Sequence, residues 1–377
     1  MMRWGLFFAV MFLPNIAIAA MPQTDTTAQQ AVLIDAATGT VLFAKKADEK
    51  MPTSSMSKMM TVYLVFDAMK QGKLHLTDMI SVSERAWKSE GSRMFLDVGS
   101  QVKVEDAIRG VIIQSGNDAS VALAEAVGGT EGSFANRMNE MAAKLELRNS
   151  HFVNATGLPD PQHYSTPHDL AKLGLALIRD FPEYYHYFSE IEFTFHNIKQ
   201  GNRNPLLYRK MGVDGIKTGH AENAGFGLTA SALRDGRRLV LVVNGLENMQ
   251  ARADEPARLL EWGYHEFNTY PLVKAGQQMA LAKTWLGITP QVTLVAAQDV
   301  VVTLPLAART GLQVAVEFQE PMQAPIKKGQ AVGKIKITAP DLLPIEIPLQ
   351  AGADVERKGF FDALMAKARY VLTGSAT

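Results

Sequence analysis

The chain contains no cysteine, which removes disulfides, thiolate nucleophiles and cysteine-ligated zinc or iron–sulfur centres. The absence says nothing against export, because many exported proteins manage without disulfides. Charge of one sign is lacking too: 38 basic and 38 acidic residues cancel to a net charge of zero. A protein that lives on nucleic acid usually carries a basic excess, so nucleic acid is not expected as a partner. HExxH is missing, and His163 with His168 has poor helical spacing for a shared ligand face, so no metal is expected. There is no internal repeat and no low-complexity tract of consequence.

Long apolar runs are missing as well, and this decides how the N-terminus is read. Arg3 supplies a positive start, Gly5 to Leu13 is apolar, Pro14-Asn15 breaks the run, and Ala17-Ile18-Ala19 has the small-x-small form of a cleavage site. A membrane span needs about 18 to 20 uninterrupted apolar residues, more than this stretch offers. Residues 1–19 therefore read as a signal peptide, cleaved after Ala19 or alternatively Ala20, and the chain as exported. Without a cysteine, lipoprotein anchoring is excluded.

At 377 residues two domains are the default, and 47% hydrophobic against 20% charged residues is ordinary globular composition. Strands are expected at Ala31 to Ile34 and Val41 to Ala44, then helices near Ser54 and at Val104 to Gln114, Asp118 to Val127, Gly132 to Leu145 and Pro167 to Arg179. Strands follow at Val213 to Thr218, Gly225 to Ala232 and Arg238 to Val243, with Asp235-Gly236 as the hairpin signal, and a helix at Pro256 to Phe267. This order gives an α+β fold, an antiparallel sheet with helices packed against it, over residues 28–268. From about Tyr270, short β-rich runs punctuated by Pro and Gly predict a small all-β domain, 270–352. The segment 357–372 places Phe360, Phe361, Leu364, Met365, Ala368, Val371 and Leu372 at helical spacing, and from Arg357 onward four cations face one anion. Such an amphipathic helix suits the surface of an anionic membrane; docking on the preceding domain is the other fate of an apolar stripe.

Three motifs carry chemistry: Ser55-Met-Ser-Lys58, Ser115-Gly-Asn117 and Lys217-Thr218-Gly219. An S-x-x-K is weak alone, and a second one spans Ser100 to Lys103, in a turn-and-strand context. Only Ser55 and Lys58 fall on an expected helix, where residues three apart share a face; on a strand they point to opposite sides. A serine hydroxyl becomes a useful nucleophile when a base takes its proton, and a lysine can do so only when neutral. Bringing a lysine down by about three pH units costs roughly 4 kcal/mol of destabilised ammonium. Burial and a second cation can supply that, and Lys217 is the candidate cation. Ser115 would extend the proton path to the leaving amine, and Asn117 would orient Lys58 and the substrate amide. The Ser55 N–H, at a helix start, would face a developing oxyanion.

These motifs in this order resemble the penicillin-binding and serine β-lactamase superfamily. More narrowly, Gln114-Ser-Gly-Asn-Asp-Ala119, Asn154-Ala-Thr-Gly-Leu158, His163-Tyr-Ser-Thr166, Asn202-Arg-Asn204, Val213-Asp-Gly-Ile-Lys-Thr-Gly-His220 and Leu259-Leu-Glu-Trp-Gly263 are similar to the low-molecular-mass D-alanyl-D-alanine carboxypeptidases of the penicillin-binding protein 5 type. Trp285-Leu-Gly287 and Ala324-Pro-Ile-Lys-Lys-Gly329 resemble that family's second domain. The resemblance implies a β-lactamase/transpeptidase-like domain with helices on both sides of its sheet and a helical subdomain. It also implies acylation of Ser55 with Lys58 as base, and a Lys217-Thr218-Gly219 strand lining the site. The N–H groups of Ser55 and His220 would form an oxyanion hole, and Arg252 with Thr218 would hold the substrate carboxylate. The implied activity is removal of the terminal D-alanine from peptidoglycan pentapeptides, with β-lactams as inhibitors and no cofactor. The implied place is the periplasmic face of the inner membrane, held by the C-terminal helix. Ser54 stands where the family more often has alanine.

Rivals differ in specific ways. A β-lactamase of the related class needs a glutamate in an E-x-x-L-N segment, absent between Ser115 and Lys217. A transpeptidase or endopeptidase would share every motif. A non-enzymatic wall-binding scaffold would have no use for them.

Overall fold

The computed structural model describes residues 22–222, 224–340 and 343–373. The expected leader, residues 1–19, lies outside them. Two compact units divide between Thr269 and Tyr270.

The first unit is built on a five-stranded antiparallel sheet, in the order Val41–Lys45, Gln30–Asp35, Arg237–Leu246, Gly225–Arg234, Val213–Ala221. Its central strands are apolar on both faces because helices cover both. Gly174, on the helix Pro167–Asp180, lies against Ile216 and Val240; Gly263, on Met249–Glu266, lies against Leu33 and Leu239. Val240 and Leu239 are adjacent in one strand, so the two helices occupy opposite faces. At the Asp235-Gly236 turn both residues have positive φ, 49° and 79°, the geometry of a tight hairpin.

The helix Lys58–Lys70 is buried on nearly every side, from Lys58 through Phe66. A helix hydrophobic all round belongs in a core. Around it stand Val104–Ile112, Asn117–Gly128 and Glu131–Lys144, the expected helical subdomain. Two helix starts in this unit differ from expectation by more than one residue. The helix expected near Ser54 opens as a 3-10 turn, Ser54–Ser57, before becoming α-helical at Lys58. The helix expected from Pro256 starts at Met249, because the Asn248 side chain caps it by accepting from Ala251 N–H at 2.8 Å. Pro256 sits inside, seven residues after Met249, where it lacks the N–H that would bond the Arg252 carbonyl.

The second unit is β-rich. A six-stranded sheet runs Gln313–Phe318, Ala331–Thr338, Ile345–Ala351, Gln291–Ala296, Gln278–Trp285, Met322–Gln323. Its own core includes Val292, Leu294, Ile335, Ile337 and Leu349. The last helix among the described residues is Phe360–Thr373, with Phe360 78% and Phe361 79% exposed. No helix of the described residues is long and apolar enough to cross a membrane.

Candidate active site

The 3-10 turn explains how Ser55 meets Lys58. In a 3-10 helix residues i and i+3 eclipse, tighter than the α-helical neighbours that the spacing predicts. Lys58 Nζ donates to Ser55 Oγ at 2.9 Å and to the Thr156 carbonyl at 2.5 Å. Thr156 arrives on the loop of Asn154 to Leu158, whose Asn154 carboxamide oxygen accepts from the N–H groups of Thr156 and Gly157 at 3.1 and 2.7 Å. That loop lies directly on the nucleophile turn. Gly157 has φ +76°, and a Cβ there would lie 1.9 Å from the Ser54 oxygen, so only glycine fits. The other S-x-x-K has a different fate: Ser100 Oγ donates to the Asp97 carbonyl at 2.6 Å, and Lys103, on a strand, pairs with Glu105 at 2.6 Å.

Lys58 is wholly buried, and its pKa is pushed down to about 7. Burial is the main cause and the Arg203 guanidinium the next, with Asp118 opposing them. Arg203, which was not among the expected site residues, is one cation that disfavours the Lys58 ammonium. Lys217 is itself sealed and held well below the usual lysine range by burial first, then by Lys58, Arg203 and Arg252. The coupling between Lys58 and Lys217 is mutual, so the two ammonium groups disfavour one another. Lys217 Nζ donates to Ser115 Oγ at 3.0 Å and to the Thr218 carbonyl at 3.3 Å.

Ser115 occupies the turn between two helices with φ +62°, an unusual conformation for a non-glycine residue. The turn is held by Asp118, whose buried carboxylate accepts from Met94 and Leu96 N–H at 3.0 and 3.1 Å. The Asn117 amide donates to the Glu90 carbonyl at 2.5 Å rather than to a group of the lysine. Its Oδ1 is buried without a partner, ready to accept a substrate N–H.

A cavity of about 280 Å³ opens over the nucleophile, and Ser55, Thr218, Gly219, His220 and Arg252 all line it. The His220 and Phe226 rings stack at 4.0 Å, and the Arg252 guanidinium lies 5.3 Å from the Phe226 centroid. Two further lining residues, Ser92 and Arg203, were not among the expected site residues, and Arg203 donates to Ser92 Oγ at 2.5 Å. The signal for Arg203 was its flanking asparagines. Asn202 donates to the Glu190 carbonyl at 2.9 Å, Asn204 to the Gly215 carbonyl at 2.9 Å, and Asn204 N–H bonds Asn202 Oδ1 at 3.0 Å. Two buried amides thus staple the turn that presents the arginine.

Behind the nucleophile runs a buried chain. Val153 N–H donates to His163 Nδ1 at 3.3 Å, which leaves the proton on Nε2, 2.6 Å from Ser57 Oγ; Ser57 in turn meets Thr53 Oγ1 at 2.5 Å. Burial pushes His163 down to about 4, so this imidazole is neutral at physiological pH.

A serine and a buried amine at the head of a core helix, a Ser-x-Asn turn and a Lys-Thr-Gly edge strand together define the penicillin-binding class of serine acyl-transfer proteins. Residues 17–248 match the D-alanyl-D-alanine carboxypeptidase family model, and 267–357 match the penicillin-binding protein 5 C-terminal domain. The chain belongs to the D-alanyl-D-alanine carboxypeptidase family. D-alanyl-D-alanine carboxypeptidase DacA of Haemophilus influenzae is 40% identical over 346 residues, 90% of this chain and 88% of that protein. The crystal structure of penicillin binding protein 5 from Haemophilus influenzae superposes with a TM-score of 0.83 at 40% identity, covering 90% of this chain and 100% of that one. Penicillin-binding protein D2 from Listeria monocytogenes in its ampicillin-bound form gives 0.60 at 28% identity, over 64% of this chain and 99% of that one.

Proposed function

We propose that Ser55 attacks the carbonyl of the penultimate D-alanine of a peptidoglycan pentapeptide, that the terminal D-alanine leaves, and that water then hydrolyses the acyl-enzyme. The observation that carries this is the 2.9 Å contact between Ser55 and a wholly buried Lys58 whose pKa is brought to about 7. Neutral Lys58 takes the hydroxyl proton as the Oγ–C bond forms. The Ser55 and His220 N–H groups receive the oxyanion. Ser115, hydrogen-bonded to Lys217, delivers a proton to the departing amine. Asn117 Oδ1 accepts the substrate amide N–H, and Gly219, where a Cβ would lie 2.8 Å from the Thr53 carbonyl oxygen, lets the strand close on the nucleophile turn. Arg252 and Thr218 hold the terminal carboxylate, and Arg203 adds positive charge to the same cavity. A β-lactam acylates the same serine by ring opening.

The exposed apolar side chains of Phe360–Thr373 support a second part of the reading. The exported chain rests on the periplasmic face of the inner membrane through this helix, without spanning it.

Labelled penicillin tests the chemistry. The wild-type protein should take up one label per chain, and Ser55→Ala none. Labelling of Ser55→Ala at the wild-type level would refute the assignment.

A further inference from the structure

The second unit holds a hollow of about 570 Å³, inside the roughly 300–1,000 Å³ range of small-molecule sites. One wall is the strand end and turn Thr284 to Ile288 with Pro290, and the other is one side of the helix Phe360–Thr373. The chain is laced to the sheet as it approaches that helix. Val355 and Ile326 exchange backbone hydrogen bonds at 2.8 and 2.9 Å, and Ile288 N–H donates to the Glu356 carbonyl at 2.8 Å. Lys358 N–H then donates to the Leu286 carbonyl at 2.8 Å, so the helix starts from a fixed point. The helix turns small residues inward, a buried Ala363 and a half-buried Ala366. Their short side chains leave the space beside Trp285 and Leu286 unfilled, and the hollow is what remains.

Helical spacing sets this hollow beside the exposed apolar side of the helix. Asp362, Met365, Ala366 and Arg369 recur three and four apart and share the face that lines it. Phe361, Leu364, Ala368 and Val371 form a second, exposed face, turned roughly a third of a circle from the first at about 100° per residue. Met365 lies where the two faces meet, and it is itself exposed. The lining divides by chemistry. Trp285, Leu286, Ile288 and Met365 are apolar, Lys358 and Arg369 are cationic, and Asp362 is the one anion.

Charge and position select the occupant. Two cations against one anion leave the lining one positive charge in excess. A lipid with a phosphate and no ammonium neutralises that excess, and a zwitterionic lipid does not. A lipid also reaches the hollow without leaving its layer, because the adjoining face is the one placed in the membrane interface above; the inference rests on that placement. We infer that the hollow binds one molecule of an anionic phospholipid. Its phosphate takes up the excess charge of Lys358 and Arg369, and the first part of an acyl chain lies against Trp285, Leu286, Ile288 and Met365. Adsorption of an amphipathic helix needs only apolar area and net charge in any arrangement. This site adds saturable, one-to-one binding, and it holds the sheet of the second unit to the membrane surface together with the helix.

The test titrates the purified protein, terminal helix included, with dihexanoyl phosphatidylglycerol and with dihexanoyl phosphatidylcholine by calorimetry, each below its micelle concentration. One phosphatidylglycerol per chain should bind, about tenfold or more tighter than phosphatidylcholine. Ile288→Glu adds a negative charge from the sheet side, and Lys358→Gln removes a cation; each should weaken binding about tenfold. Leu364→Ser, on the exposed face, should leave it in place. The thermal transition of the second unit reports folding of each variant. No saturable binding, equal affinity for the two lipids, or an affinity that neither Ile288→Glu nor Lys358→Gln changes overturns the site. Sedimentation with vesicles of phosphatidylethanolamine and phosphatidylglycerol keeps the two readings apart. A protein that pellets with vesicles but does not bind the short-chain lipid would sink the hollow alone; failure to pellet would sink the membrane placement and this inference with it.

Discussion

In the proposed mechanism Lys58 serves as the base because it is sealed and because the Arg203 guanidinium disfavours its ammonium. With a pKa near 7, Lys58 is neutral above that pH and protonated below it. The rate of penicillin acylation should therefore rise through about pH 7, falling close to tenfold for each pH unit on the acid side. Arg203→Gln removes the field that disfavours the ammonium, so the midpoint should move to higher pH, while Arg203→Lys should hold it nearer the wild-type position. Second-order acylation rates across pH 5 to about 10 would show this, and an unmoved midpoint in Arg203→Gln would exclude the role. Ser55 and Lys58 were legible because three-residue spacing on a helix is a local property. Arg203 was not, because its effect on Lys58 depends on a turn brought in from far along the chain.

Among the elements, the terminal helix has the clearest measurable consequence. Leu364 and Met365 are 54% and 71% exposed, and Val371 and Leu372 are more exposed still, on a segment also carrying Lys367 and Arg369. Burying such side chains in the membrane interface is worth about 1.5–3 kcal/mol apiece, enough together to hold a peripheral protein. A chain ending at Glu356 should leave the membrane fraction on cell breakage while the full chain stays with it. Retention of the shortened protein would count against the helix as anchor. The Met249–Glu266 helix shows how a local signal misleads. Pro256 is a good first-turn residue, yet Asn248 is the better cap, and tertiary packing tolerates the proline inside.

At the scale of the whole molecule, each unit has its own buried core. Ile335, fully buried in the six-stranded sheet, belongs to the second. Ile335→Ala should cost about 2–5 kcal/mol in that unit and lower one calorimetric transition by roughly 8 °C or more. A second transition, that of the unit carrying Ser55, should stay in place, and penicillin labelling should persist. A single transition that shifts as one would contradict this independence.

Periodicity, hairpin chemistry and motif order gave the fold class, the position of the nucleophile and base, and most element boundaries by themselves. These depend on neighbours within a few residues, and local sterics and amphipathicity write them directly into the residue pattern. Helical context alone separated Ser55–Lys58 from Ser100–Lys103. Tertiary structure decided the rest. It buried Lys58 and Lys217 together, brought Arg203 to bear on both, and turned the Asn117 amide onto Glu90. It also seated Gly157 against Ser54 and left a hollow beside the helix Phe360–Thr373. Burial and electrostatic coupling are sums over groups distant in sequence, so they come into being only when the chain has closed around the site.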